Sequence, residues 1–380
     1  MSIALPPLAL YIHLPWCVRK CPYCDFNSHR QPDDFPEQAY IKALLRDAAQ
    51  DAAFAYGRPI ESIFFGGGTP SLFSAQALST LLTTLKKQWR FADDIEITLE
   101  ANPGTVEHDT FQSYFDIGIN RISLGVQSFN PTHLSKLGRI HSGDEAQHAI
   151  TQIQQAGFQT FNVDLMHGLP DQTPEQALQD VETAIALGAP HVSWYQLTIE
   201  PNTAFAHQPP SLPSDDTLGD IEQEGFHRFQ QSGFERYEIS AFAKPGHACR
   251  HNMTYWQFGD YLGIGAGAHS KITHPDGRIV RAWKERHPKR YLTTTHYVRE
   301  QQTLISEELP LEFMMNALRL TGGVPWSLFS ARTGLPLSVI QKARQQAIEK
   351  GLLNDDAKQC QLTPLGQRFL NEVLLLFSIQ

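Results

Sequence analysis

The first two hundred residues of this 380-residue chain alternate between short apolar runs and longer amphipathic stretches, and that alternation restricts the fold more than any other feature. The apolar runs predict strands at Leu8–Leu14, Ile60–Phe65, Ile95–Ala101, Arg121–Val126, Thr160–Leu165 and His191–Thr198. Between them, Glu37–Ala55, Ala75–Trp89, Asp144–Ala156 and Pro174–Leu187 place apolar residues at helical spacing. A strand joined through a helix to the next strand returns parallel, by a right-handed crossover. The order therefore predicts an α/β fold, a parallel sheet coated by helices. Six such units fall short of the eight that close a full barrel, so an open, partial (β/α)6 TIM-type barrel is expected.

In such sheets ligands collect at the C-terminal ends of the strands. Every unusual motif of the first half sits at one of those ends. Three cysteines follow the first strand, and Gly66-Gly-Gly-Thr-Pro70 follows the second. Glu100-Ala-Asn-Pro-Gly104 closes the third, Gln127 the fourth and Asp164 the fifth, while Thr198-Ile-Glu-Pro-Asn-Thr203 closes the sixth. One active site at one mouth accounts for that concentration.

The pattern changes after about Pro209. A helix is expected over Asp216–Gln231 and a short strand over Arg236–Ser240, followed by loops rich in glycine and aromatics up to Ser270. From Pro288 the sequence reads as a compact, mainly helical, winged-helix-like module. Leu337–Lys350 and Pro364–Leu376 are its expected helices, and Gly351–Leu362 a turn or wing. The expected division is a barrel over 1–209, its loop-rich extension over 210–287 and a C-terminal domain over 288–380.

Apolar residues make up 41% and charged residues 19%, an ordinary globular mixture. The net charge of −9 argues against broad attraction to nucleic acid, and no nucleic-acid partner is expected despite the winged-helix-like pattern. The N-terminal Met1–Leu8 has neither the basic region nor the apolar core of a secretory leader. No apolar run approaches the ~18 residues that span a bilayer, and Val373–Phe377 is far too short. A cytoplasmic protein is expected.

Five cysteines is an odd number, and three crowd into eight residues as Cys17-Val-Arg-Lys-Cys21-Pro-Tyr-Cys24. A disulfide framework needs an even, dispersed set, so clustered thiols in a reducing compartment point to metal. A structural zinc site wants four ligands, and the next candidates, His247, Cys249 and His251, lie more than two hundred residues away. Thiolates are the usual ligands of iron–sulfur clusters, and a C-x3-C-x2-C loop can reach three irons of a [4Fe–4S] cubane while leaving the fourth open.

That spacing, just after a first strand and beside Tyr23, resembles the signature of the radical-SAM superfamily. The wider run Tyr11-Ile-His-Leu-Pro-Trp-Cys17 is similar to its oxygen-independent coproporphyrinogen III oxidase-like family. The resemblance implies a [4Fe–4S] cluster on Cys17, Cys21 and Cys24, with S-adenosylmethionine (SAM) on the open iron. It also implies that Gly67, Gly68 and Thr69 hold the SAM amino group, with Tyr11 and Glu100 as further contacts. Gln127, Arg139 and Asp164 match positions lining the cavity, where the oxidase relatives hold a second SAM. Thr198 would act through its backbone. Without the resemblance, each of these polar residues is equally a hydrogen bond or ion pair of a barrel mouth.

Three departures from the oxidases stand out. Phe26 occupies the place of their fourth cysteine, only ten residues precede Tyr11, and the string His251-Asn-Met-Thr-Tyr-Trp256 resembles the mark of the HemW heme-chaperone branch. That branch implies heme near His251, Tyr255 and Trp256, with His247 and His269 as rival ligands among 16 histidines. The residues alone also allow His251 to cap a turn, with the two aromatics in the core. The resulting expectation is a monomeric or homodimeric chaperone that binds heme and passes it to apo-hemoproteins, respiratory ones at the inner face of the membrane included. An electron donor would serve the cluster. The alternatives are an oxidase that decarboxylates two propionates of coproporphyrinogen III, or another radical-SAM tetrapyrrole enzyme.

Overall fold

The computed structural model describes residues 4–105 and 110–378, so the first three residues of the leader argument lie outside it. The six expected strands form as β1 (Leu8–Leu14), β2 (Ile60–Gly67), β3 (Phe91–Ala101), β4 (Arg121–Gln127), β5 (Thr160–His167) and β6 (His191–Gln196). They pair in sequence order and all in parallel. Leu8, Leu10, Ile12 and Leu14 of β1 are fully buried, as a strand covered on both faces requires.

The crossover helices include α1 (Glu37–Asp51), α2 (Ala75–Gln88), α3 (Gly143–Gln155) and α4 (Pro174–Ala186). Local chemistry sets where they start. The Ser74 side chain accepts from Ala77 N ahead of α2. Ser142 with Glu145, and Thr173 with Gln176, form reciprocal capping boxes ahead of α3 and α4. The helix α5 (Asp215–Gln231) follows, also as expected.

Beyond it the chain departs from expectation. The expected short strand forms as β7 (Glu235–Glu238), but the stretch anticipated as loops is ordered: β8 (Ala241–Ala243), the helix α6 (Arg250–Trp256), β9 (Asp260–Ile264) and β10 (His269–Thr273). The strand β9 adds to the free side of β1 in parallel, Leu8 opposite Asp260 through Ile12 opposite Ile264, and so extends the parallel set to seven. Its glycines hid it. A Cβ on Gly263 would lie 2.0 Å from the His269 carbonyl oxygen, so close approach of the two chains excludes the side chains that mark strands. Antiparallel β10, β11 (Ile279–Lys284) and β12 (Val298–Thr303) complete that edge, and β8 with β7 the other. Among the described residues these twelve strands make one open sheet.

The C-terminal unit has its own apolar cluster around Phe313, Trp326, Phe329, Ile340, Leu353 and Val373. Its wing is short: Val324–Pro325 pairs antiparallel with Gln359–Cys360, and Leu353 bridges to Leu362. A bridge between Glu238 and Leu320 ties the unit to the sheet. No helix among the described residues is long and apolar enough to cross a membrane.

The added edge is locked to the barrel by a buried charge cluster. Lys284 Nζ, at the end of β11, lies 2.6 Å from Asp47 and 2.7 Å from Asp51 on α1. Asp47 also accepts from the Tyr291 hydroxyl. Lys284→Met strands two buried carboxylates without their cation, and is expected to cost about 3–5 kcal/mol. Denaturant unfolding compared with the parent chain checks it.

Candidate functional site

The site begins where β1 ends. Trp16 is packed edge-on against Tyr40 and Phe35 and tilted against Phe73, which fixes the chain at the start of the cysteine loop. Trp16–Cys17 then pairs with His29–Arg30 and closes the loop at its base. Inside it, Cys24 N donates to Cys21 O, and Lys20 Nζ donates to the carbonyls of Phe26 and Ser28. The three thiols are half-buried and line one cavity of 260 Å³. Burial raises the pKa of Cys17 and Cys24, so thiolates here depend on a cation to stabilise them.

No three His, Cys, Asp or Glu side chains among the described residues converge on a single metal ion. A cubane does not need that convergence, because each thiolate meets a different iron. The thiol triad therefore suits a cluster rather than a lone zinc.

Opposite the thiols, the glycine run is pinned to the cysteine loop. Gly68 N donates to Leu14 O (2.8 Å) and Thr69 N to Trp16 O (2.7 Å). Gly67 has φ +117°, and a Cβ on Gly68 would sit 2.4 Å from Trp16 O. Both positions demand glycine, for conformation and for room respectively. Asn102 Nδ2 donates to the Thr69 hydroxyl (3.0 Å), and Gly67 N donates to Glu100 (3.1 Å). Glu100 is pushed up to about 8, first by burial and then by Asp164, against the Gly67 hydrogen bond. Asp164 is also raised by burial, although Ser123 and Asn162 donate to it.

Arg139 reaches in from beyond β4. One terminal nitrogen donates to Asn102 Oδ1 and Gly125 O, both at 2.6 Å, and the other lies 3.6 Å from the Cys21 sulfur. Its buried Nε has no hydrogen-bond partner. An anionic ligand oxygen would satisfy that donor. With the glycine cradle and a carboxyl able to meet a cationic group, the residues fit SAM beside a cluster.

A second cavity of 640 Å³ adjoins the first and shares Phe26, Gly67 and Glu100 with it. Its other walls include Tyr11, His13, Tyr255, Tyr261, His269 and Trp283, with Arg286 and Arg299. Tyr11 OH is 3.0 Å from His13 Nδ1, and burial holds His13 down at about 4.

Thus Cys17, Cys21, Cys24, Gly67, Gly68, Thr69, Glu100, Gln127, Arg139 and Asp164 line one cavity. Tyr11 meets Gly67 and Glu100 in the other. Thr198 lines neither: it is exposed and donates to Glu200. The His251–Trp256 string is split three ways. His251 is buried, Tyr255 lines the larger cavity, and Trp256 packs toward the C-terminal unit under Arg319. Of the rivals, His247 bonds Thr160, whereas His269 lines the larger cavity.

Sequence reasoning passed over Tyr195, which donates to Gln127, and Asn102, although its motif was noticed. It also passed over Tyr261, Trp283, Arg286 and Arg299, which belong to strands or strand ends it did not foresee.

Two outcomes follow from this geometry. Cys21→Ala is expected to abolish the iron–sulfur absorbance after anaerobic reconstitution; retention of full iron content would contradict the assignment. Glu100 is protonated in the folded chain up to about pH 8 but ionises near 4.5 once unfolded. Unfolding between those values releases a proton, so this carboxyl's contribution to stability is full below about 4.5 and is lost as pH rises through 8. In the cofactor-free chain Glu100→Gln is expected to flatten thermal stability between pH 5 and 8, gaining on the order of a few kcal/mol over the parent at the upper end.

Comparison with known proteins agrees with the geometry. The radical SAM superfamily model matches residues 11–184, and the HemN C-terminal domain model matches residues 304–369. The heme chaperone HemW of Haemophilus influenzae is 52% identical over 377 residues, covering 98% of both chains. That of Escherichia coli is 51% identical over 375 residues, covering 99% of both. That of Bacillus subtilis is 32% identical over 378 residues, covering 96% of this chain and 97% of its own. Among solved structures, coproporphyrinogen III oxidase (HemN) from Escherichia coli, a radical SAM enzyme, superposes with a TM-score of 0.83. It covers 98% of this chain and 90% of that one at 24% identity, a likeness of fold. The radical SAM family implies a [4Fe–4S] cluster and SAM, and the chain belongs to that superfamily and, within it, to the HemW family of heme chaperones.

Proposed function

We propose that this chain binds heme in the larger cavity and passes it to apo-hemoproteins, while the smaller cavity holds the cluster and SAM. The observation that carries this reading is the shared wall: Phe26, Gly67 and Glu100 line both cavities. A volume of 640 Å³ lies within the roughly 300–1,000 Å³ of ordinary ligand sites. The aromatic lining suits a flat apolar macrocycle, and Arg286 and Arg299 suit its propionates. The name borne by the relatives supports the same choice.

When bound, the cluster and SAM supply one-electron chemistry. Around them, Cys17, Cys21 and Cys24 serve as ligands, Glu100 meets a cationic group, and Arg139 meets an anionic oxygen. Phe26, 64% exposed, stands between the two cavities as an apolar screen rather than as a ligand. The finer parts of the proposal are a cytoplasmic monomer or homodimer, an electron donor for the cluster, and acceptors that include respiratory hemoproteins at the inner face of the membrane.

Anaerobically reconstituted protein is expected to show a saturable heme-dependent absorbance change and no turnover of coproporphyrinogen III with SAM and reductant. Stoichiometric protoporphyrinogen would replace this reading with the oxidase, and the absence of any heme-dependent change would remove it.

A further inference from the structure

We propose that the Tyr255 oxygen is the iron-binding group of the heme site, and that His251 is a positioning residue that holds it; this rests on heme occupying the larger cavity. The spacing of the motif explains the division of labour. Residues four apart share one face of a helix, so His251 and Tyr255 meet edge-on while Trp256, one residue on, points elsewhere. The helix is set by Glu96 of β3, whose oxygens accept from Arg250 N (3.2 Å) and His251 N (3.0 Å), donors that the first helical turn leaves free.

His251 itself has no nitrogen left for iron. Its Nδ1 is 3.0 Å from Ser62 Oγ on β2, and its Nε2 is 2.7 Å from the Tyr255 hydroxyl. The ring is 1% exposed and lies against Phe64. Both hydroxyls can donate or accept, so the contacts suit a neutral ring, with Nδ1–H donating to Ser62 while the Tyr255 O–H donates to Nε2, or the reverse. Tyr255 in turn stands edge-on to Tyr261 at 4.6 Å and lines the cavity, so Ser62, His251 and Tyr255 form a chain from the barrel interior to the ligand space.

Phenolate is an established ligand of ferric heme. Binding breaks the Tyr255 O–H bond and forms a coordinate O–Fe(III) bond. The proton leaves through the cavity to solvent, since burial and Arg121 hold His251 down at about 3. The neutral ring donates from Nε2–H to the bound phenolate while Nδ1 accepts from Ser62. Nothing is oxidised or reduced. Outer partners of this kind orient a ligand.

The test is titration of the full-length, cluster-loaded protein with ferric heme, read by absorbance and resonance Raman. The parent is expected to show the phenolate-to-iron charge-transfer band and phenolate ring modes. Tyr255→Phe should abolish both and weaken heme binding by at least about tenfold, while circular dichroism reports an intact fold. His251→Ala should keep the phenolate modes but weaken binding by about tenfold. His251→Gln, which restores an acceptor for the hydroxyl, should recover most of that loss. A parent spectrum of histidine-ligated heme, with His269 then the ligand from the same cavity, overturns the proposal. So does an unchanged spectrum in Tyr255→Phe. A parent that binds no heme at all overturns instead the functional reading on which the proposal rests.

Discussion

The arrangement at the mouth depends on the seam between the ends of β1 and β2. There, Gly68 and Thr69 donate their backbone N–H groups to Leu14 and Trp16, and the chain runs so close that a methyl group on Gly68 would meet the Trp16 carbonyl. Two hydrogen bonds of this kind are each worth only about 1 kcal/mol net. Their importance is positional. They hold the glycine run against the base of the cysteine loop, whose other side is anchored by Trp16 in its aromatic packing and by the pairing with His29 and Arg30. Cysteine loop and cradle are therefore one rigid body built from adjacent parallel strands.

That seam also sets the relation of the two cavities. Gly67 closes β2 with its peptide turned to Glu100, and the same residues face both the thiols and the larger space. Glu100 sits among groups that burial and a second carboxyl keep neutral, so the wall carries little fixed negative charge until a cation arrives. A ligand in either cavity thus meets the other through one carboxyl, one peptide and the Phe26 ring. That is a short physical path between the thiols and the larger cavity.

The far side of the larger cavity is made by the edge that β9 begins. This edge is held on by parallel pairing with β1 and by Lys284 between two aspartates of α1. The helix α6 lies against β2 beneath it, and its last residue, Trp256, reaches the C-terminal unit and its Arg319. One helix of seven residues therefore faces the barrel interior, the cavity and the second apolar cluster at once.

Much of this was legible in the residue order. Six strands and their helices followed from the periodicity of apolar residues, because strands buried on both faces have little freedom of composition. The cysteine spacing and Gly66–Thr69 marked the mouth that the thiols and the glycine run share, since close backbone approach tolerates few substitutes. Even the His251–Trp256 string stood out as a motif. Tertiary structure alone decided which of its members lines the larger cavity, because the partners Ser62 and Glu96 come from strands more than 150 residues away. It alone also showed the edge from β9 to β12. Close packing requires Gly263 in β9, and β10 to β12 are polar-rich strands, Val298–Thr303 exposed throughout. No apolar pattern therefore marked that Tyr261, Trp283, Arg286 and Arg299 line a common space. Local composition records what each residue's backbone and burial demand, whereas the walls of a cavity are set by which distant strands pair.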